Sequence, residues 1–370
     1  SGHAEESAVG YRAEAIELAI DRGIDFLVSD QNANGSWGSA TRTKGLNIYA
    51  PVPGAHDAFR GAVTSMVISA LIESGDADSP GAAADSLADA QTFLLEELPT
   101  VRRATTDAIY NVWTHMLALR ALADWYPRAD PEMQLQLVEL INQQIGRLIR
   151  YESVDGGWGY YDFRYGTQQP SSSSISFVNA TGLISLHEVR EIPGVEIPDR
   201  LVKRAIAATN RQRKPDHTYL YGEYLKTRPM RGVNRPGGSL ARSQACNAAL
   251  RMWGDDTVTD EVLEEWLIRL RDRNGWLDIG RKRPIPHEAW FQVAGYFYFY
   301  GHYYAGRCIE ILPSEERPFY QELLADLILP LQEKDGSWWD YPLYDYHQPY
   351  GTAYAIMTLV RCRDESTIEK

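Results

Sequence analysis

Cysteine is scarce: Cys246, Cys308 and Cys362 are the three in 370 residues, and no two form a C-x-x-C pair. An odd, scattered set excludes a disulfide framework and a structural zinc ribbon. Cys246 and Cys308 stand in apolar helical runs, where a thiol is buried and inert. Long apolar stretches are missing too. None reaches 18 residues, so no segment is built to span a bilayer. Positive charge is in deficit, with a net charge of -13, which excludes general nucleic-acid binding, though not a local basic pocket. No phosphate-binding glycine loop, G-x-S-x-G elbow or H-E-x-x-H pair is present. No signal peptide is visible. The chain opens Ser1-Gly2-His3 without Met and reads as processed or trimmed, so cytoplasmic and exported locations both stay open.

What is abundant is aromatic. Hydrophobic residues make up 44% of the chain and aromatics 11%, with 22 Tyr and 10 Trp. One short pattern recurs. Gln332-Glu333-Lys334-Asp335-Gly336-Ser337-Trp338 matches Gln31-Asn32-Ala33-Asn34-Gly35-Ser36-Trp37. Degraded copies are Ser153-Val154-Asp155-Gly156-Gly157-Trp158 and Arg273-Asn274-Gly275-Trp276. The Trp-to-Trp spacings are 121, 118 and 62 residues. These are two, two and one multiples of a period near 60, as in a six-fold repeat with slots two and four worn away. Asn/Asp-Gly stops a helix because glycine accepts a positive φ. The Trp behind it plugs the gap between helix ends and offers its indole N–H to a nearby carbonyl. Trp37, Trp158, Trp276 and Trp338 are thus read as structural clasps at the turns.

Between the clasps, helical periodicity alternates in character. Amphipathic helices are expected over 11–29, 82–97, 131–151, 199–212, 259–272 and 316–333. More apolar ones follow over 58–74, 106–125, 174–190, 239–253, 289–312 and 349–362. A helix apolar all round belongs inside and one with a charged face outside. Six such pairs predict an all-α fold, an (α/α)6 toroid with six inner and six outer helices and almost no strand. Residues 11–363 form that ring as one domain, with 1–10 a tag remnant or loose N-terminus and 364–370 a tail. The inner helices all run one way, so the longer loops gather at one end, where function is expected.

The Gln-x-x-x-Gly-x-Trp clasps resemble the QW motifs of squalene and oxidosqualene cyclases. Nearly the whole chain is similar to the toroids of terpenoid cyclases and protein prenyltransferases, of the stand-alone prenyltransferase/squalene oxidase repeat kind. The resemblance implies an apolar or isoprenoid-like small molecule in a central aromatic cavity. It is incomplete. The Asp-x-Asp-Asp acid of class II cyclases is missing, and Asp255-Asp256-Thr257 reads as a helix cap. Asp345-Tyr346-His347-Gln348-Pro349-Tyr350 resembles the prenyltransferase Asp-Phe-Tyr-His-x-x-Tyr, one residue shorter before the His. Where Asp-x-Cys-Tyr is expected stands His287-Glu288-Ala289-Trp290, without the thiolate. Arg281, Lys282 and Arg283 lie where that family holds its diphosphate, and guanidinium forks suit phosphate oxygens.

Three groups carry candidate chemistry. His56-Asp57, His287-Glu288 and Asp345-His347 each enter an inner helix (first, fifth and sixth), which are neighbours in a closed ring. They suit a divalent metal such as zinc, or general acid/base work. The other reading is helix capping and polar loop groups. His115 and His302 sit mid-way down apolar helices on opposite sides of the ring. They are proton donors or acceptors at a cavity floor, or satisfied core groups. Trp290, Tyr296, Tyr300, Tyr303 and Tyr350 line a cavity, stack a ligand, or form core. Arg242, in a small-residue helix, must be paired if buried, with Asp107 and Glu223 as possible partners.

Three functions remain open: an enzyme on an isoprenoid-like substrate, a carbohydrate-active toroid such as a polysaccharide lyase, and a non-catalytic binding module. An apolar closed cavity marks the first, an open polar groove with exposed aromatics the second, and a plugged centre the third. A thiol titration of the denatured, unreduced protein should count three; a count of one would reveal a disulfide.

Overall fold

The computed structural model describes residues 2–45, 50, 53–162, 174–285 and 292–363. Twelve long helices in this part alternate in chain order. Outer helices α1 (Gly2–Asp30), α3 (Ala82–Glu97), α5 (Pro131–Arg150), α7 (Asp199–Gln212), α9 (Asp260–Asp272) and α12 (Arg317–Ile328) precede inner helices α2 (Gly54–Ser74), α4 (Asn111–Trp125), α6 (Ser176–Val189), α8 (Pro236–Met252), α11 (Phe297–Ile311) and α13 (His347–Val360). A short α10 (Asn274–Asp278) interrupts the loop before α11. Pairing of extended backbone among the described residues is confined to isolated bridges.

Burial follows the sequence pattern. In α6 every residue but His187 and Glu188 is buried. In α5 one stripe is buried, Leu137, Leu140, Ile141, Gln144, Ile145 and Leu148, and the rest faces outward. That outer helix is also capped conventionally. Asp130 accepts from the Met133 N–H at 2.9 Å, and Pro131 takes the first position, where no N–H is needed. Each inner helix packs on the next, and α13 packs on α2, closing the ring. The fold is the expected double ring, an α/α toroid.

Three clasps form as read, and they share one bonding circuit. The indole N–H of Trp37, Trp158 and Trp338 donates to the carbonyl ten residues earlier, on Leu27, Leu148 and Ile328 respectively. The backbone N–H of the same three residues donates to an inner-helix side chain, Thr64, Asn179 or Thr352. The clasp glutamines reach sideways. Gln31 donates to its own Gly35 carbonyl and to Ser86 in α3, and Gln332 to Gly336 and to Ala19 in α1. The ring is therefore sewn shut between residues over 300 positions apart. In the degraded copy Glu152 stands in the glutamine slot and pairs with Arg204 of α7.

Two readings are corrected. Trp276 is 58% exposed and clasps nothing. Asn274-Gly275 continues into the helical turn of α10 instead of a left-handed turn, and the Asn274 side chain is committed to Tyr298 and His302. Slot four, expected to be worn away, is occupied by Gln212 to Tyr219. Thr218 N–H and hydroxyl bond the Asp216 carboxylate as Ser36 does Asn34. His217 takes the positive φ of the glycine, at 58°, and a fully buried Tyr219 replaces the Trp. In addition, α11 begins at Phe297 and not near 289. The three cysteines are free and buried, as expected.

Gly35 has φ +84°, and a Cβ there would meet the Asp89 carbonyl oxygen at 2.3 Å. Gly35→Ala should therefore destabilise the fold by roughly 1–3 kcal/mol in urea unfolding. Gly146, inside α5 with nothing within 4 Å of its would-be Cβ, is the control: Gly146→Ala should stabilise by about 0.5–1 kcal/mol. Equal effects would contradict the close-approach account of the clasp.

Candidate functional site

Both ends of the ring carry polar chemistry, and the axis between them is filled. Phe177 of α6 and Phe297 of α11, which are not ring neighbours, bring their rings to 4.8 Å. The Tyr300 hydroxyl donates to the Phe177 carbonyl at 3.0 Å, again from α11 to α6. Farther down, Arg120 of α4 lies 5.1 Å above the Tyr303 ring of α11, directly across the barrel.

The loop-bearing rim is built of tyrosine. From α2 round to α6, Tyr346, Phe59, Tyr110, Tyr160 and Phe177 form an unbroken run of ring contacts at 5.1–6.3 Å. Their hydroxyls bond one another: Tyr110 to Tyr161 at 2.9 Å, and Tyr160 to Tyr221. Trp113, half-buried in the first turn of α4, stacks on Phe177 at 5.6 Å. Tyr161 and Tyr224 are 38% and 55% exposed. Backbone pairing of Ala108 with Tyr161 sets Asp107 beside Asp162, whose N–H donates to the Asp107 carbonyl at 2.9 Å. Asp107 is exposed, and the buried Asp162 carboxylate pairs with Arg103.

In the α2–α13 sector, His56 Nδ1 lies 3.1 Å from the Tyr346 hydroxyl, and the Tyr344 ring meets the imidazole edge-on at 4.6 Å. His347 Nδ1 lies 2.9 Å from the Tyr344 carbonyl oxygen and 3.3 Å from Thr43 Oγ1. The Nε2 atoms of both histidines are buried and make no hydrogen bond. Asp345 accepts from Ser39 at 2.9 Å, and Asp57 pairs with Arg60 at 3.6 Å. These four residues share one sector as the ring closure demands; His56, Asp345 and His347 are tied to neighbouring loop residues and Asp57 to Arg60 of its own helix. Among the described residues no group of three or more His, Cys, Asp or Glu could hold a metal ion. The six-residue metal group expected at the mouth is therefore described only in part. His287, Glu288 and Trp290 lie outside the described residues.

The remaining candidates are dispersed. His115 bonds Gln144 of the outer helix α5 at 2.6 Å and stacks on Tyr151. His302 bonds Asn274 at 2.8 Å and the Tyr298 carbonyl. Both rings take a partner outside the inner layer. A polar atom in an apolar helix goes where a partner exists, and these partners stand on α5 and α10. Arg242 donates to the carbonyls of Tyr219 (2.9 Å) and Val233 and lies over the Tyr221 ring, pinning the loop before α8. Tyr350 donates to the Tyr296 carbonyl at 2.8 Å. Arg281 pairs with Asp278 and lies over Tyr298, while Arg283 is exposed.

Two features escaped sequence reasoning. One is Asp340, fully buried, whose Oδ2 accepts from the Phe299 N–H at 3.0 Å and caps α11 from a distant loop. Burial pushes its carboxyl up to about 7, against the pull of that N–H. The other is a charged cluster where the inner helices end. Arg120 bridges Glu73 and Glu188, Arg361 bridges Glu73 and Glu310, and Arg307 bridges Glu188 and Glu310. Its signal was legible: Arg120 interrupts Leu117-Ala118-Leu119 and Ala121-Leu122, and a charge in such a run needs a buried partner. Burial works to raise the Glu73 carboxyl, but Arg120 and Arg361 outweigh it and hold it down at about 2.

Fold and rim together define an α/α toroid with an aromatic, hydroxyl-rich mouth. No protein-family model and no curated protein matches the chain. Solved structures do match in fold. The GH76A alpha-1,6-mannanase from Salegentibacter sp. HEL1_6 aligns over 94% of this chain and 98% of its own, with TM-score 0.57 and 9% identity. A cellobiose 2-epimerase from Bacillus thermoamylovorans B4167 aligns over 91% and 95%, with TM-score 0.54 and 11% identity. A type II terpene cyclase from Scytonema aligns over 95% and 98%, with TM-score 0.53 and 14% identity. At such identities the likeness is one of fold.

His115 and His302 are fully buried, and burial pushes each imidazole down to about 4, against its hydrogen bond to Gln144 or Tyr298. Depressed below the ordinary 6.5, each stabilises the fold fully above that value. The contribution is lost as pH falls toward 4, up to roughly 3 kcal/mol each. His302→Asn should therefore flatten the decline of unfolding free energy between pH 7 and 4. A decline as steep as in the parent protein would contradict the buried neutral state.

Proposed function

We propose that this is a carbohydrate-active protein that takes a glycan across the loop-bearing rim. The observation that carries this reading is the tyrosine rim itself: Tyr161, 38% exposed at the mouth, has its hydroxyl ordered by the buried Tyr110, beside the bonded hydroxyls of Tyr160 and Tyr221. A sugar presents apolar C–H faces to aromatic rings and hydroxyls to polar partners, and tyrosine supplies both. Trp113 and Tyr161 would be the stacking surfaces, and Tyr110, Tyr160 and Tyr221 the ordered hydroxyl wall. Glycosidic chemistry uses two carboxyl groups flanking the bond. Asp107, exposed on the segment that pairs with Tyr161, would supply one of them. Glycan names among the fold neighbours, a mannanase and an epimerase, support the class without choosing the sugar.

The isoprenoid reading needs an enclosed apolar chamber. Along the described axis, the Phe177–Phe297 contact and the Arg120–Tyr303 contact take up that space. A terpene cyclase among the fold neighbours and the dense aromatic wall of α11 are what support it.

Screening the purified protein against a glycan array and an isoprenoid panel separates the two. The expected result is binding of a glycan, weakened about 10-fold or more by Tyr161→Ala or Trp113→Ala with the unfolding midpoint little changed. Asp107→Asn should leave binding intact and cut turnover of the bound glycan by about 100-fold or more. Retention of an isoprenoid, with indifference to Tyr161→Ala, would overturn the proposal.

A further inference from the structure

The cluster where the inner helices end surrounds a cavity of about 560 Å³. It opens between the last turns of α2, α4, α6, α11 and α13 and the first turn of α12, at the opposite end of the ring from the rim. A ligand cavity is commonly ~300–1,000 Å³, so the volume suits a small molecule.

The lining is polar and nearly charge-balanced. Arg120, Arg307, Arg317, Arg361 and Arg363 face Glu73, Asp124, Glu188 and Glu310. Arg120, Arg307 and Arg361 also meet the negative ends of the inner-helix dipoles. What distinguishes the cluster from a closed ion-pair plug is its unmet hydrogen bonding. The Nε–H groups of Arg120, Arg307 and Arg361 are buried and make no hydrogen bond. Carboxylate oxygens lie near each of them, Asp124 at 3.8 Å and Glu310 at 2.8 and 3.0 Å, but without the alignment a hydrogen bond requires. Glu188 Oε2 is equally without a donor. The Arg120 and Arg361 side chains are only 8% and 7% exposed, so bulk solvent does not reach them freely. Arg120 Nε and Glu188 Oε2, a donor and an acceptor, are thus left without a partner around one cavity, where burial normally supplies one.

We infer that this cavity is a binding site for a small neutral polyhydroxylated molecule, a monosaccharide or cyclic polyol. The chemistry follows from what the lining leaves unmet. A hydroxyl accepts from a guanidinium N–H and donates to a carboxylate, so a ring of hydroxyls answers both kinds of orphan. A bare anion would face four carboxylates and compete with them for guanidiniums already paired. A bare cation would face five guanidiniums. An apolar ligand would leave every orphan unpaired. Burial also pushes the Asp124 carboxyl up to about 7, against the pull of Arg120, so this group can donate as well as accept near neutrality. The site does not depend on the rim reading, since it stands on a different observation at the other end of the ring.

The test is calorimetric titration of the intact chain with D-mannose, D-glucose and myo-inositol, with inorganic phosphate and glycine betaine as charged controls. One or more of the three neutral probes should bind with a Kd below ~10 mM. Ala123→Phe places bulk in the cavity wall without removing an ion-pair partner, and should weaken that binding about 10-fold or more. Leu135→Ala, on the exposed outer face of α5, should leave it unchanged. Because Ala123→Phe could disturb packing, Gln321→Leu is the second variant. It removes a half-buried lining amide that donates to the Arg361 and Arg363 carbonyls, and a several-fold loss of binding is expected. A crystal soaked with the tightest probe should show it against Arg120 and Glu188. Binding of phosphate or betaine in preference to the neutral probes would overturn the assignment. So would binding abolished by Tyr161→Ala but indifferent to Ala123→Phe, which would place the sugar on the rim. No heat from any probe, with ordered water alone in the cavity, would reduce the cluster to a structural ion network.

Discussion

Everything in this molecule depends on stitching one outer helix to the next. An outer helix has only one apolar stripe to bury and would otherwise be free to slide over the inner ring. The indole bond from Trp37, Trp158 and Trp338 back to a carbonyl ten residues earlier closes the end of each of three outer helices. The glutamine or glutamate of the same motif then reaches the following outer helix. Gly35, Gly156 and Gly336 permit this because their backbones touch carbonyl oxygens of that neighbour, where a side chain has no room. The last of these contacts, from Gly336 to Arg22, joins the two ends of the described chain.

A ring stitched from outside leaves its two ends free to differ. At one end the inner helices begin, their loops are long, and their residues are tyrosines whose hydroxyls need partners. At the other the inner helices end, their dipoles favour cations, and arginines alternate with glutamates. Between them the axis is closed by Phe177, Phe297 and Tyr303. The described barrel therefore carries a polar cavity where the inner helices end and an aromatic, hydroxyl-bonded rim where they begin.

The buried histidines show why position along a helix is a poor guide to direction. His115 and His302 stand on opposite inner helices, which invites a picture of two imidazoles across a cavity. Each ring instead turns to a partner outside the inner layer, Gln144 for one and Asn274 for the other. Arg242 stabilises the loop carbonyls of Tyr219 and Val233.

Much of the architecture was legible in the chain alone. Alternation of one-sided and all-round apolar helices is a local property of sequence, and it determined twelve helices, their order and which layer each joins. The Asn/Asp-Gly-x-Trp spacing determined where the ring turns. Slot four was hidden because Tyr219 and His217 replace Trp and Gly with groups that serve the same geometry under different letters. Trp276 misled for the opposite reason, keeping the letters while α10 takes another backbone path. The rim hydroxyls and the ion-paired basin were decided only by tertiary structure. Tyr110, Tyr160, Tyr161 and Tyr221 come from three separate segments, and Glu73, Arg120, Glu188, Arg307 and Arg361 from five helices. A hydrogen bond or ion pair depends on ångström-scale approach between such segments, and no periodicity within one helix encodes that distance.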